Sequence, residues 1–329
     1  MKSFHLLLLC SALAGIVSPI MAQTGASPII GFYKFTVPSG TSAWTCGLVT
    51  KKDFQGAMSA TATAGTKSTI TAASATWAVG AFPLHYVEIL SGPQTGLILD
   101  IDPTVANTAT QLTVIGKTTG AASFGLTGTE TFCIRRHNTL GTVFQNGAGL
   151  QDFSDLVTLI NDQGKEIVYG LSGGAWVDGG DFFTPKSDTI LYPGQGFLIS
   201  TGASTLLTFG GGSVAYVRNG PLKIPVYAGK RNLIGIVSPL VATPPDAAST
   251  VPGSSLGLVS FLNGFSDIIN TFSNDGLLRD SAVFGSDFVN LVDGQTFSVN
   301  KNNTPFANGS AFASTPPTDT IYTQPSLVP

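Results

Sequence analysis

Three carboxylates that could bind a cation or act in hydrolysis lie close together in the sequence. Asp178, Asp181 and Asp188 flank a glycine pair and the loop that follows it. Carboxylate oxygens are the ligands that Ca²⁺ prefers, and two carboxylates at a set separation across a cleft carry out glycoside hydrolysis. The stretch has no calcium-loop consensus, so a solvated turn is the simpler prediction. Calcium binding and hydrolase chemistry are the alternatives.

Aromatic side chains near the same loop could instead form a ligand platform. Trp176 has glycines shortly before and after it, which predicts a loop edge with an exposed ring. Tyr169 and Tyr192 could supply further stacking faces for sugar rings. Because aromatic residues of β-sandwiches pack mostly in the core, buried rings are the alternative. An exposed Trp176 would favour a carbohydrate-binding module.

The stretch Gly170–Gly174 matches the G-x-S-x-G pattern of a hydrolase nucleophile elbow. That elbow requires a helix directly after the serine and a histidine later in the chain. Ser172 is followed by a glycine-rich segment, and all three histidines precede it. The stretch therefore predicts a hairpin, and we expect no catalytic residue and no cofactor.

Two cysteines, Cys46 and Cys133, remain once an N-terminal signal is removed. An even pair in a secreted protein predicts a disulfide. Its long loop would stabilise the fold by roughly 4–5 kcal/mol in the chain-entropy model. Two buried free thiols are one alternative. A zinc site is another, because His85 and His137 could complete a four-ligand set.

The elements that position these residues divide the chain into a host and an insert. Residues 29–50 and 129–329 predict an antiparallel β-sandwich host domain, with a degenerate internal duplication as an open alternative. Residues 51–128 hold short, threonine-rich strands and predict an inserted small β-barrel or sheet subdomain. A Cys46–Cys133 bridge would clamp the two roots of this insert.

Two stretches carry specific local predictions. Ser187–Ser200 holds two β-runs joined by Pro193–Gly196, where proline presets φ and glycine accepts a positive φ. The stretch therefore predicts a sharp reversal between two strands. Leu262–Phe272 has apolar residues at helical spacing and is the best helix candidate, with a strand as the alternative.

Composition favours an all-β fold. Charged residues make up 11% of the chain, against about 25% in a typical domain, while Gly, Pro and β-branched residues are abundant. The formal net charge is −3 and no long Lys/Arg run occurs. Nucleic acid is therefore excluded as an expected partner on electrostatic grounds.

Residues 1–22 have the pattern of a secretory signal peptide. Lys2 supplies a positive charge, Leu6–Ile16 is a short apolar core, and Ala22 precedes the predicted cleavage site. The core is too short for a permanent anchor, and no later stretch is apolar enough to span a membrane. We expect a secreted protein, either extracellular or at the periplasmic or outer surface, without a transmembrane segment after cleavage.

Three motifs resemble a family of uncharacterised secreted β-rich proteins found in Verrucomicrobia and related phyla. They are the V-P-x-G strand start at Val37–Gly40, the Y-V-E-I-L-S-G-P-Q-T-G-L run at Tyr86–Leu97 and the D-T-I-L-Y-P-G-Q-G-F-L-I run at Asp188–Ile199. The resemblance covers most of residues 30–240. It implies a signal peptide and an inserted hairpin, and it brings no known activity, cofactor or catalytic residue.

These observations leave three functional hypotheses. The first is a non-catalytic extracellular or cell-surface protein with a structural or interaction role, whose partner would be an envelope protein or a polysaccharide. The second is a carbohydrate-binding module built around Trp176. The third is a secreted hydrolase that uses carboxylates such as Asp178, Asp181 and Asp188. The absence of a complete catalytic motif in the sequence favours the first.

Overall fold

The computed structural model describes residues 31–116, 124–210, 213–218 and 220–235, followed by segments 250–252, 268–272, 278–284, 287–290, 305–307, 311–316 and 318–325. The predicted signal peptide lies outside the described residues. Within them the chain is almost entirely antiparallel β-structure, which confirms the predicted all-β class. No helix of the described part is long and apolar enough to cross a membrane.

The strands are short and follow one another closely. Those of the first part are β1 (Phe32–Val37), β2 (Gly40–Thr45), β3 (Leu48–Thr50), β4 (Lys52–Ala57), β5 (Ala60–Ala64), β6 (Lys67–Thr71), β7 (His85–Ile89), β8 (Ile98–Ile101), β9 (Gln111–Ile115), β10 (Thr131–Arg136), β11 (Asn138–Thr139) and β12 (Leu156–Ile160). A helix, α1 (Leu140–Val143), and a 3₁₀ turn (Gln145–Gly149) follow β11.

The later strands continue the same architecture. They are β13 (Glu166–Ser172), β14 (Ala175–Asp178), β15 (Ile190–Leu191), β16 (Gly196–Thr201), β17 (Thr205–Gly210), β18 (Val214–Val217), β19 (Leu222–Val226), β20 (Asn232–Gly235), β21 (Thr250–Pro252), β22 (Ile268–Phe272), β23 (Leu278–Phe284), β24 (Asp287–Asn290), β25 (Pro305–Ala307), β26 (Ala311–Ser314) and β27 (Thr320–Gln324).

A five-stranded sheet in the order β14-β13-β12-β16-β2 forms the centre of the host. Side chains alternate between its two faces along each strand. On β16, Phe197 and Ile199 enter an aromatic core that the β1–β17 and β3–β18 ladders and α1 also line. Leu198, between them, faces a smaller cluster that includes Leu233 of β20 and Ala311 of β26. Strand β16 is therefore buried on both faces.

A seven-stranded sheet in the order β4-β10-β7-β8-β9-β6-β5 contains the strands of the predicted insert. Two of its hairpins are β5–β6 and β7–β8. The strand Thr131–Arg136, which the boundary at residue 128 assigns to the host, lies between β4 and β7 in this sheet. By its strand pairing, the sheet therefore extends from Lys52 to Arg136.

Two local predictions differ from the structure. The Pro193–Gly196 reversal is present, but Ile190–Leu191 pairs with β11 whereas Gly196–Thr201 pairs with β12 and β2. The two runs thus belong to different sheets and do not form a hairpin. Ile268–Phe272 is strand β22, paired with β23 and β26, so a helix there is wrong. β-Branched residues in this run favour the strand, and residues 262–267 lie outside the described part.

Candidate functional site

Trp176 does not form the exposed platform that its flanking glycines predict. Its side chain is 1% exposed and packs in the aromatic core, with its ring centroid 5.3 Å from that of Phe144. The glycines make the turn before β14, and Trp176, opposite Leu171 on β13, already lies in a regular ladder that points it inward. The prediction is therefore wrong for Trp176.

Two of the three carboxylates of the glycine-rich loop, those of Asp178 and Asp181, stabilise turns. Asp178 accepts a hydrogen bond from the backbone of its own turn. Asp181 accepts hydrogen bonds from the backbone N–H and the hydroxyl of Thr184 at 3.0 and 2.6 Å. These bonds lower the pKa of Asp181 to about 2, because they stabilise the charged form. Asp188 is exposed, and the described residues contain no group of three acidic, His or Cys side chains placed to hold a metal.

The predicted disulfide is also wrong, because Cys46 and Cys133 are buried free thiols. Cys46 lies in the aromatic core, where its thiol donates to the carbonyl of Leu48 at 3.6 Å. Cys133 faces Glu88 across the seven-stranded sheet and donates to its carboxylate at 3.6 Å. Cys46 thus lies in the link between β2 and β3, whereas Cys133 lies on β10 of the seven-stranded sheet. Burial raises the pKa of each to about 12.

Ser172 lies at the end of β13, directly before a two-residue hairpin turn. Gly173 and Gly174 have φ values of +61° and +77°, the left-handed conformation that such turns require. The carboxylate of Asp152 accepts hydrogen bonds from both glycine N–H groups at 3.0 and 3.2 Å. The strand–turn–helix geometry of a nucleophile elbow is therefore replaced by a capped hairpin.

The second face of the seven-stranded sheet carries a set of buried polar side chains. On β7 and β10, alternate residues such as Val87 and Ile134 enter an aliphatic core. The intervening residues point to the opposite face and are buried there with residues from neighbouring segments. We call this set the polar seam: Tyr86, Glu88, Asp100, Cys133, Arg135, His137 and Arg218.

Glu88 is the centre of a buried ion triad within the polar seam. Its two carboxylate oxygens lie 3.0 Å from Nε of Arg135 and 2.7 Å from Nε of Arg218. Arg135 also donates to the carbonyl of Thr50, and Arg218 to that of Gly220 at 2.9 Å. Burying such charges is tolerated only when every partner is present. The triad therefore joins the seven-stranded sheet to two segments outside it.

The polar seam ends at a carboxylate shared by a histidine and a tyrosine. Asp100 lies 3.2 Å from Nε2 of His137 and accepts a hydrogen bond from the hydroxyl of Tyr192 at 2.8 Å. The ring of His137 packs between those of Tyr86 and Tyr192, at centroid distances of 4.9 and 5.1 Å. Burial and the charge of Asp100 raise the pKa of Tyr192. Tyr192 therefore stays protonated and acts as a hydrogen-bond donor.

A cavity of about 290 Å³ lies beside Asp100 and Tyr192. Its lining comes from β8, from β12 and β13, and from the segment Lys223–Ile234, so three parts of the fold meet there. Tyr169 and Tyr192, predicted as platform residues, both line it, whereas Trp176 does not. Tyr227 supplies a third aromatic ring. Burial is the main cause that raises the pKa of Tyr227 to about 12. Nearby carboxylates add to it, and Asp162 contributes the most among them.

The Pro193–Gly196 turn holds Tyr192 at this cavity. Gly194 has a φ of +79°, and a Cβ atom there would collide with the side chain of Ile224. The backbone oxygen of Gly194 accepts a hydrogen bond from Gly235 at 2.8 Å. The turn is thus packed directly against β19 and β20. The sequence indicates the turn, but it could not show that the turn forms a wall of a cavity.

Comparison with known proteins finds a distant relative. The chain is 26% identical over 119 residues, 36% of its length, to a UPF0280 protein of Methanospirillum hungatei. The match spans about half, 49%, of that relative's length. No protein-family model and no solved structure matches the chain.

Proposed function

We propose that this chain is a secreted, non-catalytic β-protein that acts by binding, with the cavity as its binding site. The observation that carries the proposal is the convergence of three tyrosine rings with several polar side chains on one cavity. Ligand sites combine apolar walls with a few placed polar groups in this way. The signal-peptide pattern of residues 1–22 and the resemblance to secreted proteins support its export to the cell surface or medium.

Filling the cavity tests the proposal. Ile98 lies on β8 on the same face as Asp100 and lines the cavity, so Ile98→Trp should occupy part of the space. Val105→Trp, at a position 41% exposed and outside the cavity lining, is the matched control. We expect ligand-observed NMR with a broad fragment library to give hits with the native protein and the control but not with Ile98→Trp. Equal hits with all three proteins would refute the cavity as the site.

Export is tested separately, by N-terminal sequencing of the protein recovered from the medium and from the cell envelope. A chain that begins at Gln23 outside the cytoplasm supports secretion. A full-length chain that is retained in the cytoplasm contradicts it.

A hydrolase is the second candidate, because two carboxylates, Asp100 and Asp162, line the same cavity. A pair of carboxylates across a cleft is the requirement of glycoside hydrolysis. Incubation with glycans, followed by a reducing-end assay, separates the two functions. Turnover that is lost in both Asp100→Asn and Asp162→Asn would replace the binding proposal with a catalytic one.

A further inference from the structure

The tyrosines that line the cavity are suited to pack against the face of a ring. Tyr192 and Tyr227 come from separate segments and are half-buried, whereas Tyr169 is 5% exposed and belongs to the aromatic core as well as to the lining. A tyrosine combines an apolar ring with a polar hydroxyl. A ligand that suits such walls has an apolar face and a polar rim.

The polar groups of the cavity offer both donors and acceptors. Asp100 presents a carboxylate that the Tyr192 hydroxyl orients. The Oδ1 atom of Asn161 accepts from the backbone of Gln163 and Lys165, whereas its amide nitrogen has no acceptor among the described residues. A hydroxyl group both donates and accepts, so a ligand with several hydroxyls can pair with the carboxylate and the amide at once.

The cavity lining carries two acidic and two basic side chains, and Glu166 adds a carboxylate just outside it. Asp100 and Asp162 are acidic, while Lys223 and Arg231 are basic, and Arg231 forms an ion pair at 2.6 Å with Glu166. A phosphorylated ligand would need an excess of positive charge, and an amine an excess of negative charge. A purely apolar ligand would remove water from the Asp100 carboxylate without replacing its hydrogen bonds. A neutral, hydroxyl-rich ligand fits best.

The volume sets the ligand's size. About 290 Å³ corresponds to roughly ten water molecules at about 30 Å³ each, and it lies at the lower end of the range for small-molecule pockets. We infer that the cavity binds one neutral sugar ring, either a free monosaccharide or the terminal ring of a glycan. This inference rests on the proposed function and names the ligand class of the same site.

The experiment measures affinity for defined sugars by titration calorimetry and saturation-transfer NMR. The panel contains neutral monosaccharides, neutral oligosaccharides, sugar phosphates, amino sugars and uncharged aromatic fragments. The test variants are Asp100→Asn and Tyr192→Phe, the second of which removes only the hydroxyl that orients Asp100. Asp188→Asn, an exposed aspartate outside the cavity lining, is the matched control. Thermal unfolding of each variant verifies that it is folded.

We expect a neutral sugar to bind, Asp100→Asn to weaken binding at least tenfold, and Asp188→Asn to leave the affinity unchanged. If oligosaccharides bind but free monosaccharides do not, the ligand is the terminal ring of a glycan. Sugar binding that neither test variant weakens overturns the inference. Binding of charged or aromatic ligands in preference to neutral sugars overturns the inference and leaves the proposed function standing. If no ligand in the panel or the fragment library binds, both are overturned.

Discussion

The two larger sheets of the first 220 residues are stabilised in different ways. The five-stranded sheet packs one face on an aromatic cluster in which Phe144 contacts Trp176, Phe197 and Phe209 at ring distances of 4.8 to 5.4 Å. The seven-stranded sheet packs one face on a mixed core of aliphatic residues with Phe124 and Phe132, and the other on the charged polar seam. Apolar packing depends on volume and tolerates similar shapes, whereas a buried charge depends on its particular partner.

The largest effect that we predict is in the aromatic core. Trp176→Ala should lower the free energy of unfolding by about 3–5 kcal/mol, because it removes a buried ring and leaves a cavity. Trp176→Phe retains much of the volume and should cost clearly less. Urea denaturation of residues 23–329 measures both. Near-native stability of Trp176→Ala would contradict the burial of this side chain.

In the polar seam, a substitution that changes fewer atoms than Trp176→Ala should lower the free energy of unfolding by nearly as much. Glu88→Gln keeps the shape of the side chain but leaves Arg135 and Arg218 buried without a counter-charge, and we expect a loss of about 3 kcal/mol. Replacing all three residues together with apolar ones, Glu88→Leu, Arg135→Met and Arg218→Met, should recover most of this loss. A triple variant that loses as much stability as the three single substitutions added together would mean that the charges act independently.

Much of the strand pattern could be predicted from the sequence, because alternation is a local property. The short strands predicted within residues 51–128 are present as β4 to β9, with β7 and β8 paired as a hairpin. Sheet membership could not be predicted in the same way. Thr131–Arg136 has a regular strand pattern in either sheet, and only its long-range partners decide between them.

The candidate site was predictable only in part, for the same reason. Tyr169 and Tyr192 could be selected as aromatic residues, but the cavity exists because residues far apart in sequence meet. The seam residues Glu88 and Arg218 are separated by the whole of β8 to β18, and no local motif connects them. Trp176 was misplaced because its flanking glycines indicate a turn but do not show on which side of the strand its ring lies.

A third prediction concerns acid stability at the edge of the seven-stranded sheet. Asp102 is buried, forms an ion pair at 2.5 Å with the half-exposed Lys67 and accepts hydrogen bonds from Thr104. These contacts lower its pKa to about 2. Because the pKa is lower in the folded state, Asp102 contributes stability above its unfolded pKa of about 4, and this contribution is lost as the pH falls from about 4 to about 2.

We expect the Asp102 contribution to be about 1–2 kcal/mol, a figure reduced because solvent screens the Lys67 side of the pair. Asp102→Asn should therefore be less stable than the native protein at pH 6, and most of the difference should be lost by pH 2. Urea unfolding at several pH values measures it. A difference that persists unchanged at pH 2 would show that the charge of Asp102 is not its cause.

The smallest effect on stability is expected from the cysteines. Their reactivity towards a thiol reagent compares the aromatic core, which holds Cys46, with the polar seam, which holds Cys133. Cys46 and Cys133 are buried thiols with pKa values raised to about 12, so little thiolate forms at neutral pH. A reductant should leave the unfolding midpoint of residues 23–329 unchanged. A thiol reagent should label Cys46 and Cys133 only after denaturation. Labelling at increasing denaturant concentration shows which thiol becomes accessible first. If Cys133 is labelled before Cys46, the polar seam opens before the aromatic core. If neither thiol can be labelled in the denatured protein without a reductant, the two cysteines form a disulfide after all.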